Sequence, residues 1–139
     1  MPGRPKPSTN TLEIPARPEA GAAARRALAA WMGSHPRLDD ALLAVTELVN
    51  NAVLHGDIHD GDHLTVTMVP EGNGIRLTVR HTGRPFEVTD PPPPSPDAGA
   101  SRGLAIVEMI SDRWGVDSDG TEVTAWFEVG SRMKMQNGR

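Results

Sequence analysis

The chain has 139 residues, 37% hydrophobic, 23% charged and only 4% aromatic with no tyrosine, and it carries a formal net charge of -4 at pH 7. That length suits one domain whose core is built mostly from Leu, Val, Ile, Ala and Met, with Trp31, Trp114, Trp126 and two Phe as the large fillers. The lack of cysteine excludes a disulfide scaffold and thiolate chemistry, no apolar run reaches bilayer-spanning length, and the acidic balance argues against direct nucleic-acid binding. With neither a secretory pattern nor a membrane segment, the expected compartment is the cytoplasm.

Residues 1–10 are Pro-rich and polar, a composition that cannot offset its own ordering entropy, and are expected to be disordered. Over residues 11–16, Leu12 and Ile14 alternate with polar neighbours and predict a short edge strand that ends at Pro15 or shortly after. Pro18 and Glu19 precede an Ala-rich helix that runs to Met32 and is closed by Gly33. A second helix begins near Leu38 to Asp40, with Asp39 and Asp40 at the positive end of its dipole, and Gly56 stops it. Its core side is marked by Leu42, Val45, Leu48, Val49, Ala52 and Val53.

Leu64, Val66 and Met68, then Ile75, Leu77 and Val79, alternate with polar neighbours on either side of Glu71-Gly72-Asn73-Gly74, and predict an antiparallel hairpin. From Phe86 to Ser101 there is no periodicity, and Pro91 to Pro94 with Pro96 forbid a regular helix or central strand. Gly103 is expected to open a third helix with Leu104, Val107, Ile110 and Trp114 at core spacing up to Gly115. Val123, Ala125, Phe127 and Val129 mark a closing strand, and residues 131–139 form a flexible tail. Residues 11–130 are thus predicted to be one α+β domain, a two-layer sandwich with helices on one face of a mixed, mostly antiparallel sheet.

Within the second helix, Glu47, Asn51 and His55 stand four apart and share one stripe. Burying such groups unpaired costs roughly 1 to 3 kcal/mol each, so something polar is expected beside them. His55, His59 and His63 are also spaced four apart, but Gly56 and Gly61 interrupt any helix that would align them, and no metal site is expected there.

Four segments occur in an order and spacing that resembles the anti-sigma-factor serine/threonine protein kinases of the histidine-kinase-like (GHKL) ATPase superfamily. They are Glu47-Leu48-Val49-Asn50-Asn51-Ala52-Val53-Leu54-His55-Gly56, His81-Thr82-Gly83-Arg84-Pro85, Ser101-Arg102-Gly103-Leu104-Ala105-Ile106-Val107 and Asp112-Arg113-Trp114-Gly115. The likeness runs over roughly residues 12–129 and implies the Bergerat-type sandwich of that superfamily. It implies a magnesium ligand at Asn51, a general base at Glu47, and nucleotide contacts at Asn51, His81, Gly83, Arg102, Gly103 and Leu104. Thr124 aligns with a threonine that supports adenine recognition in relatives.

Each role has a physical basis. Magnesium prefers oxygen donors, phosphoryl transfer depends mainly on positioning and charge neutralisation, and a helix start at Gly103 would attract phosphate. By the same resemblance the cofactors are ATP and Mg2+, if the pocket is functional, and the partners are a sigma factor and an anti-anti-sigma factor that would be phosphorylated on serine. Homodimerisation is also implied, whereas nucleic acid and membrane are not. The Pro-rich segment 87–101 falls where the family has its nucleotide lid, and Ser101 stands where the family usually has another glycine.

His81 departs from the pattern, since the family has there an aspartate that accepts a hydrogen bond from the adenine amino group. A neutral imidazole offers at most one acceptor, in a different place, and losing a charge-assisted bond at a dehydrated site costs on the order of 1.5 to 3 kcal/mol. Three readings stand at this point: a weakened ATP site, an imidazole that donates to another base such as guanine, or a nucleotide-independent module that keeps the fold for protein binding.

Overall fold

The computed structural model describes residues 8–55, 61–82, 99–119 and 121–130, with the backbone alone for residues 55, 82 and 99–102. Five strands and three helices follow in the order β1 (Asn10–Pro15), α1 (Ala20–Met32), α2 (Leu38–His55), β2 (His63–Glu71), β3 (Gly74–Thr82), α3 (Gly99–Ile110), β4 (Arg113–Ser118) and β5 (Glu122–Val129). The expected disordered start and flexible tail fall largely outside the described residues, although Asn10 already belongs to β1.

Alternation in the strands buries one face of the sheet. Leu64, Val66 and Met68 of β2, Leu77 and Val79 of β3, and Val123, Ala125, Phe127 and Val129 of β5 are all buried beneath the helices, as the period-2 pattern predicts. The strand order is β1-β2-β3-β5-β4, and every pairing is antiparallel, so the mixed sheet expected from the sequence takes its antiparallel form throughout. α3 carries the chain from β3 to β4 with β5 inserted between them. β3 and β4 therefore run in the same direction without touching.

Two expectations change here. α3 begins at Gly99, so Gly103 lies inside the helix rather than opening it. Trp114 belongs to a strand, β4, rather than to the end of that helix. The core spacing of Leu104, Val107, Ile110 and Trp114 runs across the junction because Trp114 also faces inward, paired in register with buried Phe127. Arg113, Gly115 and Asp117 take the opposite face, the period-2 signature of a strand.

Trp126 is likewise not a core filler. It lies on the outer face, where Arg76 stacks over its ring at 4.0 Å, and a side chain at Gly115 would come within 2.8 Å of its indole nitrogen. Gly72 closes the β2–β3 turn at φ 58, and a Cβ at Gly74 would overlap the Val129 carbonyl oxygen.

The helices are fitted to one another by small and buried groups. A Cβ at Gly21 of α1 would stand 2.9 Å from the Asn50 side-chain oxygen of α2, so glycine is what permits this approach. At the other end of α2, Arg37 is only 1% exposed. Its guanidinium donates to Asp40 at 3.0 Å and to the Ile110 carbonyl oxygen at the end of α3 at 2.6 Å, and pairs with Asp112 at 3.6 Å. Asp112 in turn accepts the Gly130 backbone N–H at 2.6 Å, tying the cluster to the end of β5.

Candidate functional site

Three faces of α2 have three neighbours. Val45, Leu48, Val49 and Ala52 are buried in the core; Thr46 and Asn50 meet α1, where Arg25 donates to the Thr46 hydroxyl at 3.4 Å; Glu47 and Asn51 meet α3. This division follows from 3.6-residue periodicity, which sets positions 47 and 51 one turn apart on the same side.

Glu47, Asn51 and Gly103 come together. A Cβ placed on Gly103 would lie 2.8 Å from Glu47 Oε1 and 3.2 Å from both Asn51 Oδ1 and Nδ2, so the α3 backbone rests directly on the carboxylate and the carboxamide. Gly103 is buried and Glu47 half-buried. Asn51 is 4% exposed, and its amide nitrogen finds no hydrogen-bond partner among the described residues. Leaving such a group unmatched costs about 1 to 3 kcal/mol, which marks the position as one tuned for something other than stability.

The same end of the molecule carries His81. β2 begins shortly after α2 ends, Thr65 of β2 pairs with Arg80, and His81 pairs with Val123 near the start of β5, so the end of α2, the end of β3 and the start of β5 lie together. His81 is 4% exposed and shares the helix-facing side of the sheet with Val123. The turn between β4 and β5 is at this end too. There Asp119 accepts the backbone N–H of Glu122 at 2.7 Å, the backbone N–H of Thr121 at 2.9 Å and the Thr121 hydroxyl at 3.0 Å. These donors, that of Glu122 foremost, hold its carboxyl below the ordinary 3.8.

The remaining expected site residues divide. Leu104 is 5% exposed and part of the hydrophobic core beside the site. Arg102 is in the first turn of α3, with its side chain outside the described residues, as is that of His55; Gly83 and most of the Pro-rich segment also lie outside them. Thr124 is a correction. It pairs with Arg80 and Asp117 on the outer face of the sheet, while its neighbours Val123 and Ala125 are buried beneath the helices. Strand alternation thus directs Thr124 away from Asn51 and His81 and removes it from the site.

Gly103 is a correction of a different kind. As the fifth residue of α3 its N–H is inside the helical ladder, so the N–H groups left open for an anion belong to residues 99–101, while Gly103 supplies closeness to Glu47 and Asn51.

The fit to a magnesium–nucleotide complex can be judged from these groups. An uncharged carboxamide beside a half-buried carboxylate is an oxygen donor set that magnesium accepts, and the ion commonly takes its other ligands from phosphate and water. Among the described residues no group of three His, Cys, Asp or Glu could hold a metal without such help. The buried polar or charged residues described are Arg37, Asn51, His81 and Ser111, none of them a carboxylate. The phosphate half of a nucleotide site is therefore present in Asn51 and Glu47, whereas the base would be met by an imidazole. Arg37 went unnoticed in the sequence. Its signal was weak, an arginine three residues before Asp40 at a helix start.

An open antiparallel sheet layered on one side by helices, with a polar pair at one end of the central helix, defines an ATPase-type α/β sandwich. The family model for the histidine kinase-like ATPase domain matches residues 14–127, and the chain belongs to that family. Among solved structures, the crystal structure of the RsbU and RsbW domains of Rv1364c from Mycobacterium tuberculosis has a similar fold, with a TM-score of 0.67 at 21% sequence identity. The alignment covers 88% of this chain and 32% of that one, so this chain spans about a third of that longer protein. No curated protein matches the sequence. Among the described residues, no helix is long and apolar enough to cross a membrane.

Proposed function

We propose that this protein is a cytoplasmic anti-sigma regulatory factor that binds Mg-ATP and acts as a serine kinase on an anti-anti-sigma partner, thereby controlling a sigma factor. The observation that carries the proposal is the buried, unmatched Asn51 amide packed with Glu47 against a helix residue that has no side chain. In this reading the Asn51 carboxamide oxygen is the magnesium ligand. Glu47 accepts the proton of the partner's serine hydroxyl as that oxygen attacks the terminal phosphate. The bound ion would neutralise phosphate charge. Gly103 keeps the α3 backbone against both groups, the N–H groups of residues 99–101 face the phosphates with Arg102 adding charge, and His81, Gly83 and Leu104 border the base. Self-association as a homodimer belongs to the same reading.

Calorimetric titration with ATP and GTP side by side, with and without magnesium, tests it. Saturable, magnesium-dependent ATP binding is expected, and Glu47→Ala should abolish phosphoryl transfer to an anti-anti-sigma protein while leaving the fold intact. No magnesium-dependent binding at high ligand concentration would rule out the kinase.

A second reading, a nucleotide-independent protein-binding module, is favoured by buried His81. The two separate on His81→Asp. Under the first, ATP affinity rises by roughly tenfold to a hundredfold, the worth of one charge-assisted hydrogen bond. Under the second, ATP binding stays absent.

A further inference from the structure

The Glu47, Asn51 and Gly103 arrangement depends on how far α3 is slid along α2. At Gly103 the contact is backbone against side-chain tips, with no interlocking side chain on α3 to hold it in place. The axial position is held instead at the far end of the pair. There the Arg37 guanidinium, 1% exposed, donates to the Ile110 carbonyl oxygen at 2.6 Å, to Asp40 on its own helix at 3.0 Å, and pairs with Asp112 just beyond α3 at 3.6 Å.

The backbone around it is held as well. The Arg37 N–H donates to His35 Nδ1 at 3.0 Å, which leaves His35 Nε2 as the protonated nitrogen that donates to the Asn73 carbonyl oxygen at 3.1 Å, at the tip of the β2–β3 hairpin. Asp112 accepts Gly130 N–H at 2.6 Å, and its own N–H donates to the Glu128 carbonyl oxygen at 2.8 Å. One cation thus joins the start of α2 to the end of α3, and its neighbours bind both to the far ends of the central strands.

We propose that Arg37 is a positioning residue for the Glu47–Asn51–Gly103 site, setting the axial register of α3 against α2 from the opposite end of the helix pair; its bearing on nucleotide binding rests on the function proposed above. Arg37 touches neither Glu47 nor Asn51, since about 15 Å of helix separates positions 37 and 47. It acts through α3, a rigid rod about 10 Å long between Ile110 and Gly103. A planar fork that meets a carbonyl and two carboxylates together specifies position in a way that a lysine ammonium, a single mobile point of charge, does not.

The test uses the full chain, whose lack of cysteine lets a labelled pair be introduced cleanly. Spin labels at Leu54→Cys on α2 and Ala105→Cys on α3, both exposed, report the separation at the site end. In Arg37→Lys and Arg37→Met the distance distribution should broaden or shift by about 1.5 Å or more, one residue of helix rise, while helical content by circular dichroism is kept. Magnesium-dependent ATP affinity should fall in parallel by on the order of tenfold to a hundredfold, the usual penalty for displacement of about 1 Å in a positioned site. Arg80→Lys, on the outer face of the sheet, should change neither. An unchanged distribution in a folded Arg37→Lys protein overturns the proposal, as does failure of both Arg37 variants to fold, which would make Arg37 a residue of the fold alone. If the parent protein binds no nucleotide, the kinase reading falls, and the distance measurement still decides the role of Arg37.

Discussion

The two ends of α2 bury polar groups in opposite states. At its start, Arg37 is matched by Asp40, Asp112 and the Ile110 carbonyl oxygen, and each partner is itself anchored in the fold. Toward its other end, Asn51 is as deeply buried, yet its amide nitrogen has no partner among the described residues and faces the bare backbone of Gly103. Both ends exclude water, so the difference lies in the partners. A satisfied buried charge holds a structure together, and an unsatisfied buried amide marks a place where structure has been given up for a ligand.

The sharpest way to break this comparison is to disturb each end and measure stability by urea denaturation. Asp112→Ala removes one partner of Arg37 and leaves the Gly130 N–H unmatched, so it should destabilise by about 2 kcal/mol or more, below the full buried-pair range because Asp112 itself is 39% exposed. Asn51→Leu replaces the unmatched amide with an apolar group of similar shape. It should leave stability unchanged or raise it by up to about 1 kcal/mol, while abolishing magnesium-dependent nucleotide binding. Equal losses at the two ends would erase the distinction.

Gly103→Ala sharpens it further. The helix-propensity gain of up to about 1 kcal/mol opposes the crowding of a Cβ 2.8 Å from Glu47 Oε1, so stability should stay within about 1 kcal/mol of the parent. The displaced carboxylate should still lower phosphoryl transfer.

The smallest effect is expected at Asp119, in the turn at the Asn51 end. Its carboxyl is held below 3.8, chiefly by the Glu122 N–H, so its stabilising contribution is complete above the unfolded value and is lost as pH falls through the lower folded value. Comparing acid unfolding of Asp119→Ala with that of the parent below about pH 4 should show the parent losing this difference as the pH drops.

Most of the architecture could be read from periodicity. The inward sets of β2, β3 and β5 and the core side of α2 are buried as their spacing predicts, because burial of apolar side chains is what a period of two or 3.6 encodes. β4 was lost for the same reason. Trp114 satisfies a helical continuation from Ile110 as well as an inward strand position, and only pairing with β5 separates the two. In the site, Glu47 and Asn51 were legible as polar interruptions of an apolar helix. The side of the sheet on which Thr124 falls was not read, although its alternation with Val123 and Ala125 was available. Arg37 resembled any surface arginine until its burial was known.

The amino-acid pattern by itself determined the helix and strand faces, the one-layer covering of the sheet and the polar pair on α2, since these depend on local spacing and on the cost of burying polar groups. Tertiary structure alone decided that Gly103 belongs to the second turn of α3 and lies on Glu47 and Asn51, that Thr124 faces away, and that Arg37 joins the two helices. Those facts are contacts between segments far apart in the chain. Their energies depend on which groups face each other across the packed layers, which no local period records.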